Sequence, residues 1–135
     1  MHYLVMHLAH RMKLILITAP EYFIEEDQII TALFEEGLDI LHLRKPDTAP
    51  MFAERLLTLI PEQYHKRIVV HGHFYLKDEY RLKGIHLNHR NPDMPENYKG
   101  HISCSCHSLE EVKEKKRRCD YVFLSPVFDY ISKKD

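Results

Sequence analysis

The segment HISCSCHSLEEV, residues 101–112, places two cysteines and a histidine within four positions of one another. Such residues can bind a metal ion or form a thiol nucleophile with its base. Cys-x-Cys without a second pair of ligands is, however, not the spacing of a structural zinc site. In a β-strand alternate side chains share a face, so Ser103, Ser105 and His107 would point one way and the cysteines the other. The segment therefore predicts an acid–base site on the serine–histidine face, with Cys104 and Cys106 packed in the core.

The residues that follow define where this strand ends. Ser-Leu-Glu-Glu is a capping box, in which the Ser108 side chain accepts from the backbone N–H of Glu111 and the glutamate reaches back. The helix is predicted to begin at Ser108, which leaves His107 at the strand end beside a helix N-terminus. Because helix N-termini attract anions and histidine titrates near neutral pH, we expect His107 to act as general acid or base near a bound anion. A histidine that only hydrogen-bonds within its loop is the alternative.

Other strand ends carry further candidates. Arg44, in LHLRKPD, suits bidentate recognition of a phosphate, and a surface ion pair with Asp47 is the alternative. The segment SKKD, residues 132–135, offers a hydroxyl and two cations as a phosphate clamp, or else forms a solvated tail. Four further histidines invite a metal-binding interpretation, but no neighbouring carboxylate completes a ligand set. They are His71, His73, His86 and His89.

The elements that must position these residues alternate along the chain. Apolar, β-branched runs predict six strands, at residues 14–18, 39–44, 67–72, 84–88, 101–106 and 120–128. Amphipathic stretches predict helices at 25–37, 49–61, 74–84 and 108–118, with Gly37 as a C-cap. Buried strands separated by helices imply parallel βαβ units of the α/β class. Either an open doubly wound sheet or a (β/α)8 barrel fits, and in both the site lies at the carboxyl ends of the strands.

Composition excludes several classes of function. A formal net charge of −1 gives no basic footprint for nucleic acid, so no nucleic-acid partner is expected. The sequence has no apolar run long enough to span a bilayer, and its start lacks the features of a signal peptide, so no membrane association is expected. Three cysteines, an odd number, fit a reducing cytoplasm better than a disulfide framework. The length of 135 residues suits one domain.

Five segments, in order, resemble motifs of the thiamine phosphate synthase/TenI superfamily. They are MKLILIT (12–18), LHLRKPD (41–47), GIHLN (84–88), SCSCHSLEEV (103–112) and CDYVFLSPVFDYISKKD (119–135). The resemblance implies a (β/α)8 TIM barrel of the thiamine phosphate synthase type, here truncated after about six strands. It also implies that residues 1–11 are an N-terminal extension and that residues 12–135 are the N-terminal three-quarters of a single barrel domain.

The superfamily implies two chemistries in thiamine biosynthesis. The synthase joins an aminopyrimidine diphosphate to thiazole phosphate with release of pyrophosphate, and it uses Mg²⁺. The TenI-type tautomerase moves a proton on a thiazole phosphate and needs no cofactor. Where the synthases carry metal-binding carboxylates, this sequence has His71-Gly72 and Asn91. Because Mg²⁺ prefers carboxylate oxygens, their loss favours the tautomerase, with a divergent synthase or a non-catalytic phosphate-binding module as alternatives.

The resemblance also assigns roles to individual residues. Arg44 matches the motif arginine, but Pro46 stands at the motif lysine, with Lys45 one place early. His107 is the expected catalytic acid–base group. The expected substrate- and phosphate-binding residues are Arg44, His42 (at the motif glutamine), Ser105, Ser132 and Lys133. The expected partners are the small-molecule substrates, with a possible homodimer in the cytoplasm.

Overall fold

The computed structural model describes residues 2–8 and 11–125, which belong to two compact units, Met1–Lys83 and Gly84–Asp135. Both units combine parallel strands with connecting helices, as the α/β prediction requires. No helix in these described ranges combines the length and the apolar character needed to cross a bilayer.

The residues of the first unit that the structure describes form four strands. Strand β1 (His2–Leu8) pairs antiparallel with β2 (Arg11–Ile17), and β2 pairs in parallel with β3 (Ile40–Leu43), which pairs in parallel with β4 (Ile68–Val70). The sequence predicted no strand in residues 1–11, yet β1 forms there. Strands β3 and β4 are buried at every position, which explains their uninterrupted apolar runs.

Helices connect these strands. They are α1 (Glu26–Glu35), α2 (Pro50–Leu59), a 3₁₀ helix (Glu62–Arg67) and α3 (Leu76–Glu79). Gly37 adopts a φ of 110°, and Leu38 N–H donates to the Leu33 carbonyl oxygen, so the predicted C-cap of α1 is confirmed. Helix α3 is one turn long instead of the predicted 74–84, since the backbone at Arg81 has a positive φ of 56°.

The described part of the second unit, residues 84–125, forms three strands and one helix. Strands β5 (Gly84–Leu87), β6 (His101–Cys106) and β7 (Tyr121–Leu124) pair in parallel, and α4 (Leu109–Lys115) connects β6 to β7. Gly84 faces His101 across the β5–β6 pair, where a Cβ atom would overlap the His101 carbonyl oxygen. A glycine is therefore required at this position.

The prediction for the cysteines is partly wrong. Cys104 forms a disulfide with Cys119, with their Cα atoms 6.6 Å apart, whereas the composition favoured reduced thiols. Strand alternation turns Cys104 toward the helix side of β6, and the segment after α4 brings Cys119 there. Cys106 is a buried free thiol, as predicted for core packing, and burial raises its pKa.

Candidate functional site

The ends of β2 and β3 are joined by a reciprocal pair of hydrogen bonds. Arg44 N–H donates to Thr18 Oγ1 at 3.0 Å, and the Thr18 hydroxyl donates to the Arg44 carbonyl oxygen at 3.2 Å. Thr18 is fully buried, whereas Arg44 is exposed. The backbone of Arg44 is thus fixed at the strand end while its guanidinium is accessible to solvent, the placement that a phosphate-binding arginine needs.

Lys45 is buried and bound to its own loops. Its Nζ lies 2.5 Å from Glu26 Oε2, and it donates to the carbonyl oxygens of Ala19 and Glu21 at 2.9 and 2.6 Å. The ammonium also lies 4.6 Å from the centre of the Tyr22 ring. With one acceptor for each of its three N–H bonds, Lys45 anchors the segment after β2 and is not presented to a ligand.

His42 lies in the middle of the buried β3 strand and is fully inaccessible to solvent. Its Nδ1 is 2.8 Å from Nε2 of His71, which follows β4, and the two rings meet edge to face. One of these facing nitrogens must donate a proton and the other must accept it. His73 lies in the loop, with a φ of 49°, so the two histidines of HGH do not share a strand face as the sequence suggested.

A cleft of about 530 Å³ opens in the first unit at the loops that follow β2 and β3. Its rings are Tyr22 and Phe52, whose centres are 5.7 Å apart. Burial raises the pKa of the Tyr22 phenol to about 12, so the phenol stays protonated. The complete lining is Pro20, Glu21, Tyr22, Pro46, Asp47, Thr48 and Phe52.

In the second unit a row of polar side chains crosses β5, β6 and β7. His86 is fully inaccessible, with Nδ1 2.7 Å from Ser103 Oγ and Nε2 2.7 Å from Ser105 Oγ. Ser103 is in register with His86 on one side and with Tyr121 on the other, and the Tyr121 hydroxyl is hydrogen-bonded to it. The Phe123 ring lies 4.8 Å from the His86 ring. The predicted sharing of one face by Ser103 and Ser105 is therefore confirmed.

Burial determines the charge state of this row. It lowers the pKa of His86 to about 3, with the charge of His101 as a smaller cause, so the imidazole is neutral at physiological pH. Burial likewise raises the pKa of the Tyr121 phenol above its ordinary range. The row from Tyr121 to Ser105 therefore contains hydrogen-bonding groups and no net charge.

His107 follows β6 directly, and its side chain is exposed. The predicted capping box forms: Ser108 Oγ accepts from Glu111 N–H at 3.1 Å, and Glu111 Oε1 accepts from His107 N–H at 3.3 Å. Lys115 donates to the Glu111 carboxylate and lowers its pKa. The cap thus fixes the backbone of His107 while its ring is open to solvent.

The candidate residues therefore differ in placement. Within the first unit His42 is buried and Arg44 exposed, and within the second unit Ser105 and His107 lie two residues apart at the end of β6. Ser132 and Lys133 lie outside the described residues. Sequence reasoning considered His86 only as a metal ligand and gave Ser103 and Tyr121 no role. A histidine inside a buried strand, one strand before a Ser-x-Ser, was the signal that could have identified the row.

A family model described as thiamine monophosphate synthase matches residues 14–135. The chain belongs to the thiamine monophosphate synthase family. The predicted superfamily is thereby confirmed, and thiamine biosynthesis is the area of metabolism in which the family operates.

A solved structure of thiamine phosphate pyrophosphorylase from Bacteroides thetaiotaomicron is 68% identical and matches with a TM-score of 0.83. The match covers 87% of this chain and 60% of that chain, so this chain spans less than two-thirds of that protein's length. No curated protein matches at a significant level. The likeness confirms the predicted fold class, a truncated TIM-type barrel of the thiamine phosphate synthase family.

The family implies Mg²⁺, and the residues at the two expected metal positions do not fit it. The first position follows β4 and holds His71 and Gly72, where the imidazole faces His42. The second holds Asn91, whose backbone N–H donates to the side-chain oxygen of Asn88 within the loop after β5. Neither position supplies the carboxylate oxygen that Mg²⁺ prefers.

Proposed function

We propose that this family member acts on a thiazole phosphate and that His107 moves a proton on the thiazole ring. The proposal is supported above all by the side chains at the metal positions, which lack carboxylates while Ser105 and His107 are retained at the end of β6. Proton transfer requires a titratable group and a seat for the phosphate, whereas ionisation of a diphosphate requires the neutralisation of a leaving pyrophosphate. Ser105 and His107 suit proton transfer on a phosphorylated ligand.

The proposed reaction is a tautomerisation. The neutral His107 imidazole takes a proton from a ring carbon, and the resulting imidazolium returns a proton to a second atom of the same ligand, so the number of protons is unchanged. Ser105, two residues earlier at the end of β6, donates to the phosphate, and Arg44, Ser132 and Lys133 complete the proposed ligand contacts. His42 is not among them, because its side chain is fully buried against His71. A solvent-exposed imidazole on a fixed backbone suits a group that must serve two atoms in turn.

The test is to incubate the intact protein with the non-aromatic thiazole phosphate tautomer and follow aromatisation by ultraviolet absorbance. His107→Gln is expected to slow the reaction by about 10²–10⁴-fold, the usual contribution of a general acid–base group. His89→Gln is the matched control, because His89 is also an exposed histidine that follows a strand of the same unit. A His107→Gln variant as fast as the wild type would remove the role proposed for His107.

The second candidate is thiamine phosphate synthase itself. It is favoured by the description of the matching family and by the name of the 68%-identical structure. Mg²⁺-dependent release of pyrophosphate from aminopyrimidine diphosphate and thiazole phosphate would establish the synthase activity and contradict the preference for a tautomerase. Thiazole phosphate binding by calorimetry without turnover in either assay would instead indicate a non-catalytic binding module.

We also propose that residues 12–135 form the N-terminal three-quarters of a single barrel domain, with residues 1–11 as an extension. The antiparallel pairing of β1 with β2, against the parallel pairing of the strands that follow, supports a boundary near residue 11.

A further inference from the structure

The hydrogen bonds of His86 with Ser103 and Ser105 can form with either of two tautomers of the imidazole, in which donor and acceptor roles are reversed. A neutral imidazole carries one N–H, so one ring nitrogen donates and the other accepts. If Nδ1 carries the proton, it donates to Ser103, and the Ser105 hydroxyl donates inward to Nε2. If Nε2 carries the proton, it donates to Ser105, and the Ser105 hydroxyl proton is free to point elsewhere.

In the two tautomers of His86, the Ser105 hydroxyl offers a ligand either its lone pairs or its proton. In the first, Ser105 has only lone pairs available outside the row, and these repel a phosphate oxygen. In the second, Ser105 accepts from His86 and donates outward, which is what an anionic oxygen requires. Ser105 is partly accessible to solvent, whereas Ser103 and His86 are fully buried, so Ser105 is the member of the row that a ligand reaches.

We propose that His86 is a positioning residue: its Nε2–H donates to Ser105 and thereby directs the Ser105 hydroxyl proton toward a phosphate oxygen of the bound ligand. The inference rests on the proposed function for the identity of that ligand.

Tyr121, at the end of the row opposite Ser105, favours a role in orienting the Ser105 hydroxyl over a role in transferring a proton to the ligand. Tyr121 can donate to Ser103, Ser103 to His86 Nδ1, His86 Nε2 to Ser105 and Ser105 to the ligand, so that all four donors point the same way. If the row delivered a proton outward, it would leave a phenolate at Tyr121, and burial raises the pKa of that phenol. Re-orientation of the donors requires no ion and is the less costly event.

Two substitutions separate this role from simple packing. The amide nitrogen of a glutamine lies near the position of the imidazole Nε2, and that of an asparagine near Nδ1. His86→Gln thus keeps a donor for Ser105, and His86→Asn keeps a contact with Ser103 only. Both replace the ring with a smaller neutral amide, so each is the matched control of the other.

Calorimetric titration with thiazole phosphate provides the first readout, together with the melting temperature of each variant. We expect His86→Asn and Ser105→Ala each to weaken binding about tenfold, and His86→Gln to stay within about threefold of the wild type. Adding Ser105→Ala to His86→Asn should cause little further loss, since both remove the same hydrogen bond. Equal weakening by His86→Asn and His86→Gln, with equal losses of melting temperature, would assign His86 a packing role and overturn the inference.

The second readout is the tautomer of His86, by nitrogen-15 NMR of histidine-labelled protein saturated with thiazole phosphate or inorganic phosphate. We expect the proton on Nε2, and a proton on Nδ1 in the complex would overturn the inference while leaving the proposed function intact. Binding with the Nε2–H tautomer but without tautomerase activity would overturn the proposed function and leave the inference standing. A wild-type protein that binds neither phosphate compound would overturn both.

Discussion

In the unit Met1–Lys83 a buried ammonium is matched by a carboxylate, whereas in Gly84–Asp135 a buried imidazole is held between two hydroxyls. The Lys45–Glu26 pair is ionic. Burying its two charges has a desolvation cost of several kcal/mol per ion, which the attraction between the charges must offset. The His86 row avoids that cost because all of its members are neutral.

This difference suggests different uses. The ion pair has fixed polarity, since Lys45 can only donate and an ionised Glu26 can only accept, so it suits an anchor for the loop after β2. Hydroxyls and a neutral imidazole can each donate or accept, so the row can reverse direction when a ligand requires it. The charged pair therefore stabilises one structure, and the neutral row can respond to an anion.

The largest effect is expected from breaking the ion pair. Lys45→Met leaves the Glu26 carboxylate buried without its cation, and we expect the free energy of unfolding in urea to fall by about 3–5 kcal/mol. The double variant Lys45→Met/Glu26→Leu should recover part of that loss, because no uncompensated charge is left. Lys66→Met, at an exposed position, is the control. A loss below about 1 kcal/mol for Lys45→Met would show that the pair is not the anchor described here.

An intermediate effect is expected from acidification. Burial lowers the pKa of His86 to about 3 from an ordinary 6.5, so between these values the unfolded chain binds a proton that the folded protein does not. This contribution to stability is complete above pH 6.5 and is lost as the pH falls, at about 1.4 kcal/mol per pH unit. Between pH 6.5 and 5 we expect a loss of roughly 2 kcal/mol in wild type that is absent from His86→Asn. Parallel pH profiles of the two proteins in urea denaturation would contradict the neutral state of His86.

The smallest effect is expected from an ion pair of the second unit that solvent reaches. Lys115 Nζ lies 3.1 Å from Glu111 Oε2, one helical turn away, and both side chains are about one-third exposed. Lys115→Gln should therefore cost about 0.3–0.5 kcal/mol, and the cost should shrink in high salt. Urea denaturation at low and high ionic strength measures it, and a loss comparable to that of Lys45→Met would erase the contrast between buried and exposed pairs.

After residue 11 the sequence predicted the order of strands and helices, because buried apolar runs and amphipathic periods are local signals. The capping box at Ser108 was predicted for the same reason, since all of its atoms lie within four residues. Lys45 and His86 could not be assigned in this way, since their partners depend on strand register and loop path, which one sequence does not encode locally. The Cys104–Cys119 disulfide was missed because an odd cysteine count argued for free thiols, although one thiol can stay free beside one bridge.

The lack of space for a side chain at Gly84 provides a sequence marker for the row of polar side chains around His86. Because no Cβ atom fits there, only a glycine at position 84 allows the observed pairing of β5 with β6, which places His86 opposite Ser103. A slip of one residue would turn the histidine to the opposite face. Gly-x-His, Ser-x-Ser and Tyr-x-Phe on three successive strands thus form a search pattern. Applied to relatives, it would separate chains whose strand histidine orients a hydroxyl from those in which it is available to bind a metal.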